Sequence, residues 1–314
     1  MGAKLPVSVL LVNFNQGKFF PDAWRSITRQ SLVPEKVYVI DDGSAGDDVE
    51  LIEQLIVNNS VLNVEMISDK ANLGISARLN QVLPFIETEW LLILAADDLL
   101  NTNALEILVS ASDSETDVVW GDLEVMDEAG VSLGFSRPKD TWQGHVSRKY
   151  LSADFPFNDL LKFNNFVPGG MSLIRSRVVN AAGGWDSNIT TEDFDLWLRI
   201  SSTSKFKYIQ ESVGMYRVVS GSKSRRDNHK LRDQAIFLSK HSGQSREIDR
   251  GLAYLAAMRW AFTVFRTRQI PDYSLNEMSR VIGVSPLLAW LQMPRAVTTP
   301  LYRSVIARVK WLTK

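Results

Sequence analysis

The sequence contains no cysteine among its 314 residues. Disulfide bonds, thiolate metal sites and a cysteine nucleophile are therefore excluded. Its three histidines, His145, His229 and His241, are too scattered along the chain to suggest a zinc site. A metal ion bound by this chain would have to be held mainly by oxygen ligands.

Long apolar runs are missing as well. The longest uncharged apolar stretches, WLLILAA and VIGVSPLLAWLQM, fall short of the roughly 20 residues that span a bilayer. The N-terminal segment MGAKLPVSVL has one lysine and too short an apolar run for a signal peptide. We therefore expect a chain that does not cross a membrane and that resides in the cytoplasm.

Charge is nearly balanced over the whole chain, at a net −1, but it is unevenly distributed. Residues 225–314 hold 16 Lys and Arg against 6 Asp and Glu, a net charge of +10. Residues 1–224 hold the remaining 19 against 30, a net charge of −11. The two parts should therefore meet different partners.

The first part alternates short apolar runs with stretches of helical period. PVSVLLVNF, KVYVIDD, NVEMISD and WLLILAADD have the composition of strands, and the spacing between them predicts βαβ units. Such units form an α/β fold with a mostly parallel sheet and helices on both faces. Ligands of these sheets bind beyond the carboxyl ends of the strands. We expect one crevice to be shared by the side chains at the predicted strand ends, which are Asn13, Asp41, Asp42, Asp97 and Asp98.

After residue 115 the regular alternation of strand-like and helix-like segments ends. DVVWGDLEVMD alternates as a hairpin strand does, and FVPGGMSLIRSRVV is typical of a turn, a strand and a helix start. A further helix is predicted from Asp193 to Ser202, and beyond residue 224 the chain has the pattern of basic amphipathic helices. We therefore predict one domain over 1–224, with halves at 1–115 and 116–224, and a basic helical region over 225–314.

The strongest chemical signal is the pair Asp97 and Asp98 after a short apolar strand. Adjacent carboxylates repel each other unless water or a cation compensates, and core packing does not explain them. They suit Mg²⁺ or Mn²⁺, which commonly bridge a protein acid and a substrate diphosphate. The alternative is a solvated turn that caps the next helix. A second pair, Asp41 and Asp42, fits either a ligand site or a capping turn.

Two further segments carry charge near a predicted helix start. In DKANLGISARLNQVL, Arg78 is either a solvated helix residue or a guanidinium that binds phosphate or stacks on a base. In TEDFDLWLRI, Glu192, Asp193 and Asp195 lie at a helix N-terminus, where capping explains one acid but not three.

Taken in order, these segments resemble the family 2 glycosyltransferases over residues 6–224. The resemblance rests on seven motifs, VSVLLVNFN, VIDDGS, NLGISARLNQ, LAADD, GGWD, EDFDLWLRI and YRVVSGSKS. It implies the GT-A fold, a Rossmann-like mixed and mainly parallel sheet flanked by helices, here with a C-terminal helical extension. Residues 1–224 would then be the catalytic domain, with a nucleotide-binding half and an acceptor half.

The activity implied by the resemblance is that of an inverting, hexosyltransferase-like glycosyltransferase. It would move a sugar from a nucleotide diphosphate sugar, with a UDP-sugar as the expected donor, to a hydroxyl of a glycan or lipid-linked acceptor. The expected setting is the synthesis of a bacterial surface polysaccharide.

Carried over position by position, the resemblance also implies a set of site residues. Val12, Phe14 and Asp41 would line the nucleoside pocket, with Asp42 nearby and Arg78 near the base or the phosphates. Asp97 and Asp98 match the family's metal and ribose carboxylates, with Asp98 as the direct ligand of Mn²⁺ or Mg²⁺. Asp193 matches the catalytic base, and Glu192 is the alternative.

The sequence departs from the common family pattern at several of these positions. Ala95 stands where the metal motif usually has its first acid, Val12-Asn13-Phe14 replaces Pro-Thr-Tyr, and Val219 replaces a histidine. These departures motivate an alternative, a catalytically inactive nucleotide-sugar-binding or scaffolding protein, which the intact EDFDLW motif opposes. A sugar nucleotidyltransferase is a second alternative, but NFNQGKFF lacks the glycine-rich basic phosphate loop that its chemistry needs.

The C-terminal segment TTPLYRSVIARVKWLTK has apolar residues at helical spacing, together with several cations. Such a helix either docks on the catalytic domain or lies on an anionic membrane surface. Basic helices fit nucleic acid equally well by charge alone, but the lipid-linked acceptors common in the family favour a membrane. We therefore expect peripheral contact with the inner face of the plasma membrane and no nucleic-acid partner.

Overall fold

The computed structural model describes residues 5–137, 153–154, 167–189 and 191–219, and the short pieces 236, 238–243, 249, 252–253, 257, 279–280 and 282. The chain divides into two compact units. The first comprises Met1–Phe157, Asn165–Asn188 and Glu192–Ser220, and the second comprises Asn158–Asn164, Ile189–Thr191 and Gly221–Lys314. All the residues with predicted chemical roles belong to the first unit.

The first unit is built from strands and short helices. Its strands are β1 (Leu5–Asn13), β2 (Pro34–Asp41), β3 (Val64–Ser68), β4 (Trp90–Ala95), β5 (Leu99–Leu100), β6 (Val118–Met126), β7 (Ser132–Arg137), β8 (Ala153–Asp154), β9 (Leu173–Arg175) and β10 (Lys205–Arg217). Its helices are α1 (Phe20–Thr28), α2 (Gly46–Val57), α3 (Ile75–Val82), α4 (Ala104–Ala111), α5 (Ser176–Ala181) and α6 (Glu192–Ile200), with a 3₁₀ turn at Leu83–Phe85.

The strands form one sheet in the order β3-β2-β1-β4-β9-β6-β10-β5, with β7 paired to β6 and β8 to β10. The block β3-β2-β1-β4 is parallel throughout, and the long pair β6-β10 is parallel too. Strand β9 is antiparallel to both β4 and β6, so it joins the two parallel blocks. The sheet is therefore mixed, and the prediction of a mainly parallel sheet is confirmed. The predicted hairpin strand is also confirmed, because β6 pairs antiparallel with β7.

The core lies against the centre of this sheet. Strands β1 and β4 are buried over almost their whole length, which explains why both are continuous apolar runs rather than alternating ones. Helix α1 packs against the core through Phe20, Ala23, Trp24 and Ile27, whose spacing places them on one face of the helix. Burying one such large side chain contributes about 1.5 to 3 kcal/mol. This packing fixes the strands whose ends carry the acids.

In the second unit the described positions 236, 238–239, 249, 252–253, 257, 279–280 and 282 are helical. The rest of the predicted basic helices, including 296–314, lies outside the described residues. Among the residues that are described, no helix is both long and apolar enough to span a bilayer.

Candidate active site

The neighbouring parallel strands β1, β2 and β4 end at the same edge of the sheet. Asn13, the last residue of β1, pairs with Asp41, the last residue of β2. Val12 pairs with Ala95, the last residue of β4. The two acid pairs that follow β2 and β4 therefore emerge at this common edge.

Asp41 is a fully buried carboxylate held by four donors. Its Oδ1 accepts hydrogen bonds from Asn13 Nδ2 at 2.8 Å and from Ser44 Oγ at 2.5 Å. Its Oδ2 accepts from the main-chain N–H groups of Ser44 at 2.9 Å and Gly43 at 3.2 Å. These bonds fix the orientation of Asp41 and close the turn after β2.

Asn13 is also fully buried, and only one end of its amide is engaged. Its Nδ2 donates to Asp41 and, at 2.9 Å, to Ser44 Oγ, which fixes the direction of the amide. Its Oδ1 is buried and accepts no hydrogen bond from any described residue. A buried acceptor left in this state costs about 1 to 3 kcal/mol.

The two apolar residues predicted for the nucleoside pocket lie close to this network. Val12 is held in the sheet and its carbonyl accepts the N–H of Ala96 at 2.9 Å. Phe14 follows β1 directly and is partly exposed. The next residue, Asn15, has a positive φ of 52°, and its N–H donates to Ser44 Oγ at 2.8 Å. The loop after β1 is thus tied to the turn after β2.

Arg78 is buried, and its donors all bind groups of this chain. Nε donates to Asp42 at 3.0 Å, Nη1 to Asp69 at 2.8 Å and Gln81 at 3.0 Å, and Nη2 to Asp69 at 2.5 Å and to the Ala71 carbonyl. Hydrogen bonding and the charge of Arg78 lower the pKa of Asp69 to about 2. The same partners raise the pKa of the guanidinium.

Asp42 completes this arrangement from the other side. Its carboxylate accepts the main-chain N–H groups of Leu73 at 2.8 Å and Gly74 at 3.0 Å, as well as Arg78 Nε. Asp42 and Arg78 therefore hold the loop that leads into α3. The structure gives both residues protein partners, whereas the sequence-based hypothesis expected them to face a ligand.

Asp97 and Asp98 form a tight turn after β4. The N–H of Asp98 donates to the Ala95 carbonyl at 3.0 Å. Asp98 is nearly buried, and its Oδ1 accepts the main-chain N–H of Arg217 at 2.8 Å. Burial raises the pKa of the Asp97 carboxyl, while the nearby charge of Arg217 acts in the opposite direction. A bound cation would offset the cost of burying these charges.

The donor set fits a hard divalent cation that is shared with a substrate. Asp97 and Asp98 offer carboxylate oxygens, which are the ligands that Mg²⁺ and Mn²⁺ prefer. The described residues contain no group of three or more His, Cys, Asp or Glu side chains that could hold a metal ion by themselves. Phosphate oxygens of a bound diphosphate would have to supply further ligands.

Asp193 lies in the first turn of α6, the helix that the sequence predicts there. Its Oδ1 accepts the N–H of Phe194 at 2.7 Å, and both Asp193 and Glu192 are partly exposed. The side chain of Asp193 packs on the backbone of Gly169. A Cβ atom at that glycine would lie 2.6 Å from the Asp193 Cβ and 2.8 Å from its Oδ2. Only glycine leaves room for the carboxylate in this position.

The segment after Gly169 connects Asp193 to β4. The N–H of Met171 donates to the carbonyl of Ile93 in β4 at 2.7 Å, and a Cβ at Gly170 would lie 3.5 Å from the same oxygen. Ile93 is two residues from the end of β4. Residues 169–171 therefore contact Asp193 at one end and β4, the strand that precedes the acid pair, at the other.

The third acid of the same helix start has a structural role. Asp195 is fully buried and pairs with Arg199 Nε at 2.7 Å. Arg199 also donates to the carbonyls of Ala182 at 2.7 Å and Gly184 at 2.8 Å. Asp195 thus anchors the GGWD loop through Arg199, which leaves Asp193 and Glu192 as the accessible acids of this helix start.

Three residues of this site were not assigned roles from the sequence. In the sequence, Asn13 is a strand end and part of Val12-Asn13-Phe14, while Gly169 and Arg217 are only parts of the segments FVPGGMSLIRSRVV and YRVVSGSKS. A polar residue that ends an apolar strand, and paired glycines where a backbone comes close to another group, are signals that could have identified the first two. Nothing local indicates the contacts of Arg217.

Comparisons with known proteins identify the family and the fold of this chain. A family model described as glycosyl transferase family 2 matches residues 8–180, more than half of the 314 residues. The chain belongs to this family. Glycosyltransferase YwdF of Bacillus subtilis is 24% identical over 207 residues, which cover 65% of this chain and 71% of YwdF. Chondroitin synthase of Escherichia coli is 23% identical over 220 residues, or 68% of this chain but only 29% of the synthase.

Two solved structures extend the likeness to the fold of this family 2 member. S. aureus TarS 1-349 in complex with UDP-GlcNAc has a TM-score of 0.68 at 14% identity, over 96% of this chain and 86% of the other. The mannosyltransferase PcManGT from Pyrobaculum calidifontis, in complex with GDP-Man and Mn²⁺, has a TM-score of 0.54 at 13% identity, over 99% and 81%. The GT-A fold implied by the sequence motifs is confirmed.

Proposed function

We propose that this family 2 member is an inverting, hexosyltransferase-like enzyme. It transfers a sugar from a nucleotide diphosphate sugar to a hydroxyl of a glycan or lipid-linked acceptor. The observation that supports this most directly is the contact of Asp193 with Gly169, because the same segment is bonded through Met171 to β4, the strand that precedes Asp97 and Asp98. The proposed proton acceptor and the proposed diphosphate site are thus linked by one short segment of the chain.

The nucleoside is assigned to the edge formed by β1 and β2, with Val12 and Phe14 as its contacts and the buried Asp41 fixing the turn behind them. The partly exposed Phe14, and the pairing of Asn13 with Asp41 at the ends of these strands, support this assignment. A UDP-sugar is the expected donor. The TarS complex with UDP-GlcNAc supports that choice, while the complex of PcManGT with GDP-Man makes a GDP-sugar the first alternative.

The reaction proposed here is a single displacement. Asp193 accepts the proton of the acceptor hydroxyl as that oxygen forms a bond to the anomeric carbon, with Glu192 as the alternative base. The bond from the anomeric carbon to the diphosphate oxygen breaks, and the nucleoside diphosphate leaves with the electron pair. Attack opposite the leaving group inverts the anomeric centre. Mn²⁺ or Mg²⁺, held by Asp98 and Asp97, would stabilise the negative charge that develops on the diphosphate.

Asp42 and Arg78 support the nucleotide pocket from behind in this proposal. The side chains of Asp42 and Arg78 hydrogen-bond to the loop before α3, so the two residues shape the wall of the pocket. Direct contact of the Arg78 guanidinium with a base or phosphate would require one of its present bonds to break.

The acceptor is proposed from the relatives. Chondroitin synthase and the poly-beta-1,6-N-acetyl-D-glucosamine synthase of Staphylococcus aureus support a role in polysaccharide synthesis at a bacterial surface. We also propose that the basic residues 225–314 contact an anionic membrane on the cytoplasmic side, where a lipid-linked acceptor would be available. Those residues lie largely outside the described part of the chain, so their charge is the support for this step.

The test is release of nucleoside diphosphate from UDP- and GDP-sugars in the presence of Mn²⁺, with and without glycan acceptors. We expect the wild-type protein to release the diphosphate and Asp193→Asn to bind the donor without turnover. Donor binding without any release by the wild type would favour the alternative, an inactive nucleotide-sugar-binding protein. Ala95, in place of the usual first acid, is the feature that supports that alternative.

A further inference from the structure

We propose that Arg217 is a positioning residue for the acid pair: its side chain fixes the turn that carries Asp97 and Asp98 in the arrangement that binds a divalent cation and a diphosphate. This inference rests on the proposed function, because it concerns the same site. It assigns a role to a residue of β10, a strand that supplies none of the acids.

Arg217 contacts both residues of the acid pair. It is the last residue of β10 and is 4% exposed. Its main-chain N–H donates to Asp98 Oδ1 at 2.8 Å, and its Nε donates to the carbonyl of Asp97 at 2.8 Å. The backbone of Arg217 therefore orients one carboxylate, while its side chain holds the peptide that carries the other.

The far end of the same guanidinium is anchored to two other segments. Nη1 donates to the carbonyl of Glu128 in the turn between β6 and β7 at 3.0 Å. The guanidinium carbon lies 4.7 Å from the ring centroid of Phe19, at the entry to α1. A planar guanidinium can serve three segments at once, whereas a lysine ammonium is a single point of contact.

Two main-chain bonds also belong to the acid turn. They run from Ala96 N to Val12 O at 2.9 Å and from Asp98 N to Ala95 O at 3.0 Å. Without the arginine side chain, the Asp97 carbonyl would lose the Nε donor that lies 2.8 Å away. Partners that orient metal ligands are typically worth about 10- to 100-fold in metal affinity.

A matched control lies at the opposite end of β4. Arg175 has its guanidinium carbon 4.3 Å from the ring centroid of Trp90, the first residue of that strand. It donates to the carbonyls of Thr116 at 2.7 Å and Asp113 at 2.8 Å, and it pairs with Glu89. The two arginines thus make similar contacts, but only Arg217 touches the acid pair.

The experiment measures Mn²⁺ affinity of folded protein rather than activity. Mn²⁺ is titrated into wild type, Arg217→Gln, Arg217→Lys and Arg175→Gln, and free ion is followed by its EPR signal at saturating UDP or GDP, whichever binds the wild type more tightly. We expect the Mn²⁺ Kd to rise by about 10- to 100-fold in both Arg217 variants and to stay within about 2-fold of wild type in Arg175→Gln. Thermal unfolding of each variant shows that the titrations are made on folded protein.

Each other outcome overturns a defined part of this account. If the Mn²⁺ Kd is unchanged in Arg217→Gln, the side chain of Arg217 only stabilises the fold. The same conclusion follows if Arg175→Gln loses as much Mn²⁺ affinity as Arg217→Gln. If Arg217→Gln does not fold, Arg217→Lys decides, because it keeps the charge and loses the paired donors. Wild-type affinity in that variant overturns the positioning role. A wild-type protein that binds neither Mn²⁺ nor nucleotide refutes the proposed function, and the role of Arg217 with it.

Discussion

Gly169→Ala is the substitution that tests the candidate base without altering any acid. The new Cβ would lie 2.6 Å from the Cβ of Asp193, whereas ordinary contacts begin at 3.4 Å. The difference between 3.4 and 2.6 Å requires a shift of about 0.8 Å, and a misplacement of about 1 Å can lower a rate by about 10²-fold. Overpacking of this kind also costs about 1 to 3 kcal/mol of stability. We expect turnover to fall by about 10- to 100-fold.

The assay compares kcat and nucleotide affinity in Gly169→Ala with those in Gly170→Ala. A Cβ at Gly170 would lie 3.5 Å from the Ile93 carbonyl, an ordinary contact, and neither glycine has a positive φ. Gly170→Ala should therefore behave like wild type, and nucleotide binding should survive in both variants. Wild-type turnover in a folded Gly169→Ala protein would refute the placement of the reacting carboxylate against this glycine.

Three further predictions follow from the same site. Asp193→Asn should keep donor binding and lower turnover by about 10²- to 10⁴-fold. The kinetics of Glu192→Gln decide between the two acids. If turnover is lost in Glu192→Gln but not in Asp193→Asn, Glu192 is the base. Asp98→Asn should weaken Mn²⁺-dependent binding of the nucleoside diphosphate while the protein stays folded. If calorimetric titration shows an unchanged dependence on Mn²⁺, Asp98 is not a metal ligand. Asp69 has a pKa lowered to about 2, so its stabilising bond to Arg78 is present above its usual value of 3.8 and is lost as the pH falls toward 2. Urea unfolding of wild type and Asp69→Asn should therefore show a stability difference at pH 6 that narrows below pH 4, and a constant difference would contradict this role.

The strand ends could be predicted because their signals are local. An apolar run that stops at an acid marks both the end of a strand and a polar edge, and parallel neighbours bring such edges together. Asn13 and Asp41 illustrate this, since they pair in register at the ends of β1 and β2. The sequence predicts the start of α6 at Asp193, one residue from the observed start at Glu192, because acids are favoured in the first turn of a helix.

The role of Arg78 could not be predicted in the same way. In the sequence it is a cation close to several acids, which suits a phosphate ligand as well as an ion pair. The choice depends on whether its donors are already used, and that is decided by Asp42, which lies 36 residues earlier, and by the turn at Asp69. Charge and spacing along one helix do not contain this information.

The link between Asp193 and β4 through residues 169–171 depends on backbone geometry that no side-chain pattern reveals. Met171 adopts a positive φ of 61°, an unfavourable conformation for a residue with a Cβ. Two contacts hold Met171 in this conformation. Its N–H donates to the Ile93 carbonyl at 2.7 Å. Its sulfur lies beside Gly214, where a Cβ added to that glycine would be only 2.5 Å from the sulfur. Such strain costs on the order of 1 to 3 kcal/mol and persists only where surrounding contacts enforce it. Gly214 in turn pairs with Leu100, just beyond the acid pair. The strained residue therefore joins the support of Asp193 to the strands around Asp98, a link that the proposed function requires because the two acids are 95 residues apart in the sequence.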